Sequence, residues 1–139
     1  MTENQIEYIE HESQRLAVIL RSQFQETGLH FFTPNKDPMQ LAYFGYSKGK
    51  KISPHVHNEV PRTISVTQEI IFIRKGKVRV DLYSKDKTFQ ISRILEQGDC
   101  ILLSEGGHGF EILEDSEIIE AKNGPYIGES DKTRFNGKT

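Results

Sequence analysis

The sequence predicts an all-β domain with a short N-terminal helix, and two observations carry the β assignment. Between Gly76 and Ser84, Val78, Val80 and Leu82 alternate with Lys77, Arg79 and Asp81, the period of two expected of a strand with one face in a core and the other in water. Further short apolar stretches surround it at regular spacing: Gln40 to Tyr46, Gln68 to Arg74, Thr88 to Leu95, Cys100 to Leu103, Gly109 to Leu113 and Glu117 to Lys122. The turn-forming clusters Lys75-Gly76, Lys85-Asp86-Lys87, Gln97-Gly98-Asp99, Glu105-Gly106-Gly107 and Glu114-Asp115-Ser116 separate them. Short strands at this spacing predict a sandwich or a closed barrel.

Ahead of the strands, Leu16, Ile19, Leu20 and Phe24 recur at i, i+3, i+4 and i+8, with Glu12 or Ser13 as N-cap and Gly28 as a stop. That spacing predicts one amphipathic helix, against a rival strand over Leu16, Val18 and Leu20 that matches fewer positions. The turn cluster Pro34, Asn35, Asp37 and Pro38 then closes an N-terminal extension of about residues 1–38. A barrel over about 39–128 and a polar, frayed tail over about 129–139 complete one domain, with no internal repeat, low-complexity stretch or linker.

A chain of 139 residues buries about two thirds of its unfolded surface, enough for one core without staples. Its single cysteine, Cys100, has no partner for an internal disulfide, which suits a reducing compartment, and it reads as a small core hydrophobe. The formal charge of −2, from 18 Lys and Arg against 20 Asp and Glu, comes with no basic block, so no nucleic-acid partner is expected. The longest apolar runs, Ile70 to Ile73 and Ile101 to Leu103, fall far short of the roughly 20 residues that cross a bilayer. The acidic start Met1 to Glu7 has no apolar core of a signal peptide. A cytoplasmic protein with no membrane partner is therefore expected. The sequence holds no GxxxxGK[ST] loop, GxSxG elbow or CxxC pair, which leaves phosphoryl transfer, serine hydrolysis and dithiol redox without support.

Chemistry concentrates in three histidines and one glutamate. His55 and His57 stand two apart, so in extended chain they face the same side and offer two imidazoles to one ion. Pro54 biases the residue before it towards extended backbone. Glu69 shares parity with Ile71 and Ile73, which turns its carboxylate inward, and His108 shares parity with Phe110 and Ile112. A buried carboxylate is normally paired or bound to a cation. Taken singly, each of these residues is more often a core or surface residue than a ligand. Together they form a mixed nitrogen and oxygen set suited to one divalent transition metal: Fe, Mn, Ni, Zn or Cu.

The arrangement of these residues among glycines resembles the cupin superfamily. Gly49, five residues, His55-Val56-His57, then Glu69, six residues and Gly76 follow that family's first motif. Gly98-Asp99, the stretch Cys100 to Leu103, Ser104-Glu105-Gly106, Gly107 and His108 look like its second. Two departures stand out: eleven residues, Asn58 to Gln68, separate His57 from Glu69 where the motif has three or four, and Ser104 replaces the usual proline. The resemblance implies a double-stranded β-helix (jelly roll), a metal held by His55, His57, Glu69 and His108, and a homodimer. The runs Gly106 to Glu111 and Glu120 to Tyr126 are similar to small single-domain bacterial cupins, some of which stand among sugar-nucleotide and surface-polysaccharide enzymes.

That resemblance implies a metal-binding protein acting on a small sugar or sugar-nucleotide. The alternatives are a non-catalytic module binding a small ligand, a metal-dependent dioxygenase, and a metal-free ketoisomerase with an imidazole as base; the sequence does not choose among them or decide whether the protein is an enzyme. Arg62, in the long spacer, is a candidate for an anionic substrate group, although solvated surface charge is the commoner role. The aromatics Phe31, Phe32, Tyr43, Phe44 and Tyr46 read as core or subunit interface, and His11 and His30 as surface residues.

Overall fold

The computed structural model of the chain describes residues 5–137. Its strands are β1 (Ile6–His11), β2 (Gln14–Leu20), β3 (Gly28–Phe31), β4 (Ala42–Gly45), β5 (Glu69–Tyr83), β6 (Phe89–Glu96), β7 (Cys100–Leu103) and β8 (Gly107–Lys122), followed by a 3-10 turn over Gly128–Asp131. All strand pairings are antiparallel. The fold is mostly β with a curled sheet, compatible with a jelly roll. No helix among the described residues is long and apolar enough to cross a membrane.

The helix expected over Leu16 to Phe24 is not formed. Its first half is β2, which turns back on β1 through Glu12 and Ser13, both at positive φ (47° and 67°), a two-residue hairpin turn whose twist matches that of the strands it joins. The misreading has a physical cause. β2 lies between β1 and β7 and is covered on both faces, so Leu16, Ala17, Val18 and Ile19 are all buried. A strand buried on both faces reads as a continuous apolar run, and such a run contains helical spacings by necessity.

The expected separate strands over Gln68 to Arg74 and Gly76 to Ser84 are one strand, β5, and the last two candidates are likewise joined as β8. Lys75-Gly76 and Glu114-Asp115-Ser116 are facing irregularities within that long pair, where the register shifts between Ile73 and Val78. They bend the ribbon without ending it. Gly76 sits there at φ 97°, and a Cβ on it would run into Ser116 and the Asp115 carbonyl. β5 therefore joins three partners within one six-stranded sheet: its first part pairs with β7, its second with β6, and β8 follows it along the other edge, while β3 and β4 form a separate two-stranded sheet.

Pairing register sorts the core. Ile19, Ile101 and Ile71 lie side by side across β2, β7 and β5, and with Ile73, Val78, Val80, Leu82 and Leu95 they fill the interior of the curl. On the opposite face, Val18 and Leu102 are covered by Leu41, with Phe32 and Met39 packed beside them. Cys100 joins this outer cluster, and burial, with a smaller contribution from Asp99, pushes its thiol up to about 11. This fits a packing role rather than a reactive thiol.

The strands at the two ends of the sheet path, β1 and β6, are tied by Arg93, whose Nε and Nη2 donate to the Glu7 carboxylate at 2.9 and 2.6 Å. The Arg93 hydrogen bond holds the Glu7 carboxyl below its usual range. A lowered folded-state pKa stabilises the fold above the ordinary carboxylate value of about 4, and the gain is lost as pH falls through the folded value. Because the pair is part-exposed, Glu7→Gln is expected to cost only about 0.5 kcal/mol at pH 7. Urea denaturation at pH 7 and pH 3 checks this, the difference from wild type shrinking at the lower pH.

Candidate functional site

Glu69 opens β5 in a row with Ala17, Leu103 and Lys122. It points inward with Ile71 and Ile73, as parity predicts, and is 8% exposed. A carboxylate in such a place needs donors. His108, on β8, supplies one: its Nε2 lies 2.9 Å from Glu69 Oε2. The imidazole thus holds the Glu69 carboxyl below its usual range, against the upward push of burial. Thirty-eight residues separate the two positions in sequence, and the β5–β8 ribbon brings them together.

The face of His108 differs from expectation. Phe110 and Ile112 do stand opposite the buried Val80 and Val78, yet they are 39% and 53% exposed. Among the described residues β8 pairs only with β5, and its inward side forms the open margin of the core. His108 is half-buried on that margin, its ring 5.7 Å from that of Phe110.

Sequence reading missed Glu120. Opposite Ile71 in the register, it reaches the Glu69 carboxyl and hydrogen-bonds it. Burial first, then the contact with the Glu69 side chain and its charge, raise the Glu120 carboxyl above its usual range. Parity groups Glu120 with Ile118 and Lys122, but only the β5–β8 register brings it next to Glu69. The result is two carboxyls side by side, with an imidazole in contact with one of them. Such a set can relay a proton or contribute donors to a cation.

The turn ahead of His108 depends on Gly106, at φ 75°, where a Cβ would collide with the Tyr83 carbonyl oxygen. Beyond this turn lies a cleft of about 520 Å³ that Glu69, His108, Gly107 and Gly109 line together with Asp131, Lys132, Thr133 and Arg134 of the C-terminal segment. That segment was expected to be a frayed tail. Instead the Phe135 ring packs edge-on against Tyr83 at 5.0 Å, and Thr67 Oγ1 donates to Asp131 Oδ1 at 2.9 Å. Phe135, one residue after Arg134 and three after Lys132 in an otherwise polar stretch, is the sequence signal for this anchoring.

His55 and His57 are placed elsewhere. They lie on the segment 46–68, which carries no strand or helix, and both are exposed. Their rings stand 5.3 Å apart. His55 Nδ1 faces the Ser53 carbonyl at 2.9 Å; a carbonyl only accepts, so this nitrogen donates, which leaves Nε2 as the nitrogen a metal would take from the neutral ring. The four residues thus form two pairs, each with suitable donors. No group of three or more His, Cys, Asp or Glu among the described residues stands close enough to hold a metal ion, so the full donor set is not assembled in this conformation. Arg62 is also absent from the cleft; it lines a separate groove with Lys36, Asp37 and Gln40.

No family model, curated protein or solved structure matches the chain.

Proposed function

We propose that the chain is a cupin, a double-stranded β-helix that binds one divalent transition metal through His55, His57, Glu69 and His108 and a small sugar or sugar-nucleotide in the adjoining cleft. The observation that carries this reading is the 2.9 Å contact between Glu69 and His108, residues from two motifs that meet at a cleft. Two uncovered surfaces add support. Segment 46–68 exposes Ile52, Val56, Val60, Ile64 and Val66, with Val56 at 86%, while the margin of β8 exposes Phe110, Ile112 and Ile118. Large apolar residues left in water favour a docked state. The eleven-residue spacer spans more than about 30 Å when extended, so its length permits His55 and His57 to reach the other pair.

The deciding experiment is elemental analysis of purified protein with hydrogen exchange across segment 46–68, with and without chelator. Close to one metal per chain and slower exchange in its presence are expected; a metal-free protein with equal exchange overturns the metal reading. A metal-free protein would favour a second reading, supported by the same contact: a base whose imidazole is oriented by a carboxylate. We further propose a cytoplasmic homodimer, because the outer edge of β8 is unpaired among the described residues and open edges are normally covered. Light scattering that finds a monomer at micromolar concentration overturns it.

A further inference from the structure

We propose that Lys132 and Arg134 make the cleft a site for a small molecule bearing a phosphoryl or carboxylate group, whose anionic oxygens these two side chains hold. This deepens the proposed function by naming a substrate class; it rests on reading the cleft as the ligand site and is independent of the metal.

The C-terminal segment is fastened at two points, Asp131 to Thr67 and Phe135 to Tyr83. Lys132, Thr133 and Arg134 lie between them, where they line the cleft. An exposed segment needs a reason to be anchored on both sides of two cations, and a ligand between them supplies one. The carboxylates of the cleft are already engaged by other groups. Glu69 accepts from His108 and Glu120, and Asp131 accepts from Thr67.

Lys132 makes no ion pair within 4 Å among the described residues; its charge acts on Glu120 only at longer range and as a minor influence. Arg134 pairs with Glu129 at 3.0 Å, but both side chains are 72% exposed, and such surface pairs contribute little. An oxyanion that contacts Lys132 as well competes for that guanidinium, whose fork matches phosphate and carboxylate geometry. The volume of about 520 Å³ lies in the range typical of small-molecule sites. Gly107 and Gly109 flank His108 without side chains, and a Cβ on Gly109 would meet nothing within 4 Å, so the ligand has room beside the imidazole.

The test titrates full-length protein with pyrophosphate and, separately, malonate, by calorimetry, in metal-loaded and chelator-treated forms. Saturable binding of at least one probe is expected, and the preferred probe identifies the anionic group. Lys132→Ala and Arg134→Ala should each weaken it about tenfold, as the loss of a charged hydrogen bond predicts. Both are exposed, so their unfolding midpoints should match wild type, and Arg62→Ala, in the other groove, should bind normally. Absence of binding to wild type, or equal affinity of wild type and the Lys132→Ala/Arg134→Ala double variant, overturns the proposal. If wild type retains no metal while the double variant loses anion binding, the anion site stands and the metal reading falls. A metal-loaded wild type that binds neither probe has the opposite meaning.

Discussion

His55→Ala is expected to lower metal affinity by more than about 100-fold, a larger effect than outer-shell substitutions typically produce, while leaving the unfolding midpoint of the metal-free protein unchanged. His55 is exposed on a segment outside the sheets, so the free fold does not depend on it. His108→Ala should cause a similar loss of metal but also destabilise the metal-free protein, because it leaves Glu69 buried without the imidazole donor. Glu69 keeps its contact with Glu120, so the cost is that of one hydrogen bond to a charged group, about 1.5–3 kcal/mol. Elemental analysis and denaturation of both variants separate the two roles: full metal content in both would remove these residues from the site. Glu69→Gln completes the comparison. The amide keeps the volume but not the charge, so affinity should fall measurably without complete loss of metal, since imidazoles alone can hold zinc or copper.

The inward side chain of Glu69 was legible in the sequence because strand parity is a local property. Glu69, Ile71 and Ile73 point one way whatever β5 pairs with, and the inward orientation of Glu69 follows from that alone. Glu120 required one further fact, the register that sets β8 against β5, which no local pattern supplies. Helical spacing at Leu16, Ile19, Leu20 and Phe24 misled because a strand covered on both faces erases alternation. Which faces are covered is decided by Phe32, Met39 and Leu41 folding over Val18 and Leu102, a contact between distant parts of the chain. The same applies to the C-terminal segment. Its composition is polar, and only Phe135 meeting Tyr83 turns it into a wall of the cleft.

Bends in the ribbon were misread for a related reason. Glycine marks both a turn and an irregularity within a strand, and only the pairing partner tells them apart. Lys75-Gly76 faces Glu114-Asp115-Ser116 across the β5–β8 pair, so neither cluster reverses the chain. Gly106 does belong to a turn, and it is the position where backbone geometry bears most directly on the site.

Gly106→Ala is accordingly expected to destabilise the protein by about 2–4 kcal/mol, through two separate costs. At φ 75° an L side chain is strained, which costs about 1–3 kcal/mol. The added methyl would also press on the Tyr83 carbonyl and approach Leu16 Cδ2 at 2.9 Å. Tyr83 pairs with Gly107 in the β5–β8 ribbon, so its carbonyl cannot retreat without disturbing that pairing. Relief must then come from moving the turn itself, and His108, two residues on, moves with it. The same substitution should therefore lengthen the Glu69–His108 contact and weaken metal binding, read by elemental analysis of the folded fraction. Gly109→Ala provides the contrast: Gly109 is not at positive φ and has open space around its Cβ position, so its effect on stability should stay within about 0.5 kcal/mol. Equal stability of the two variants in urea denaturation would show that the turn at Gly106 tolerates a side chain and is not what positions His108.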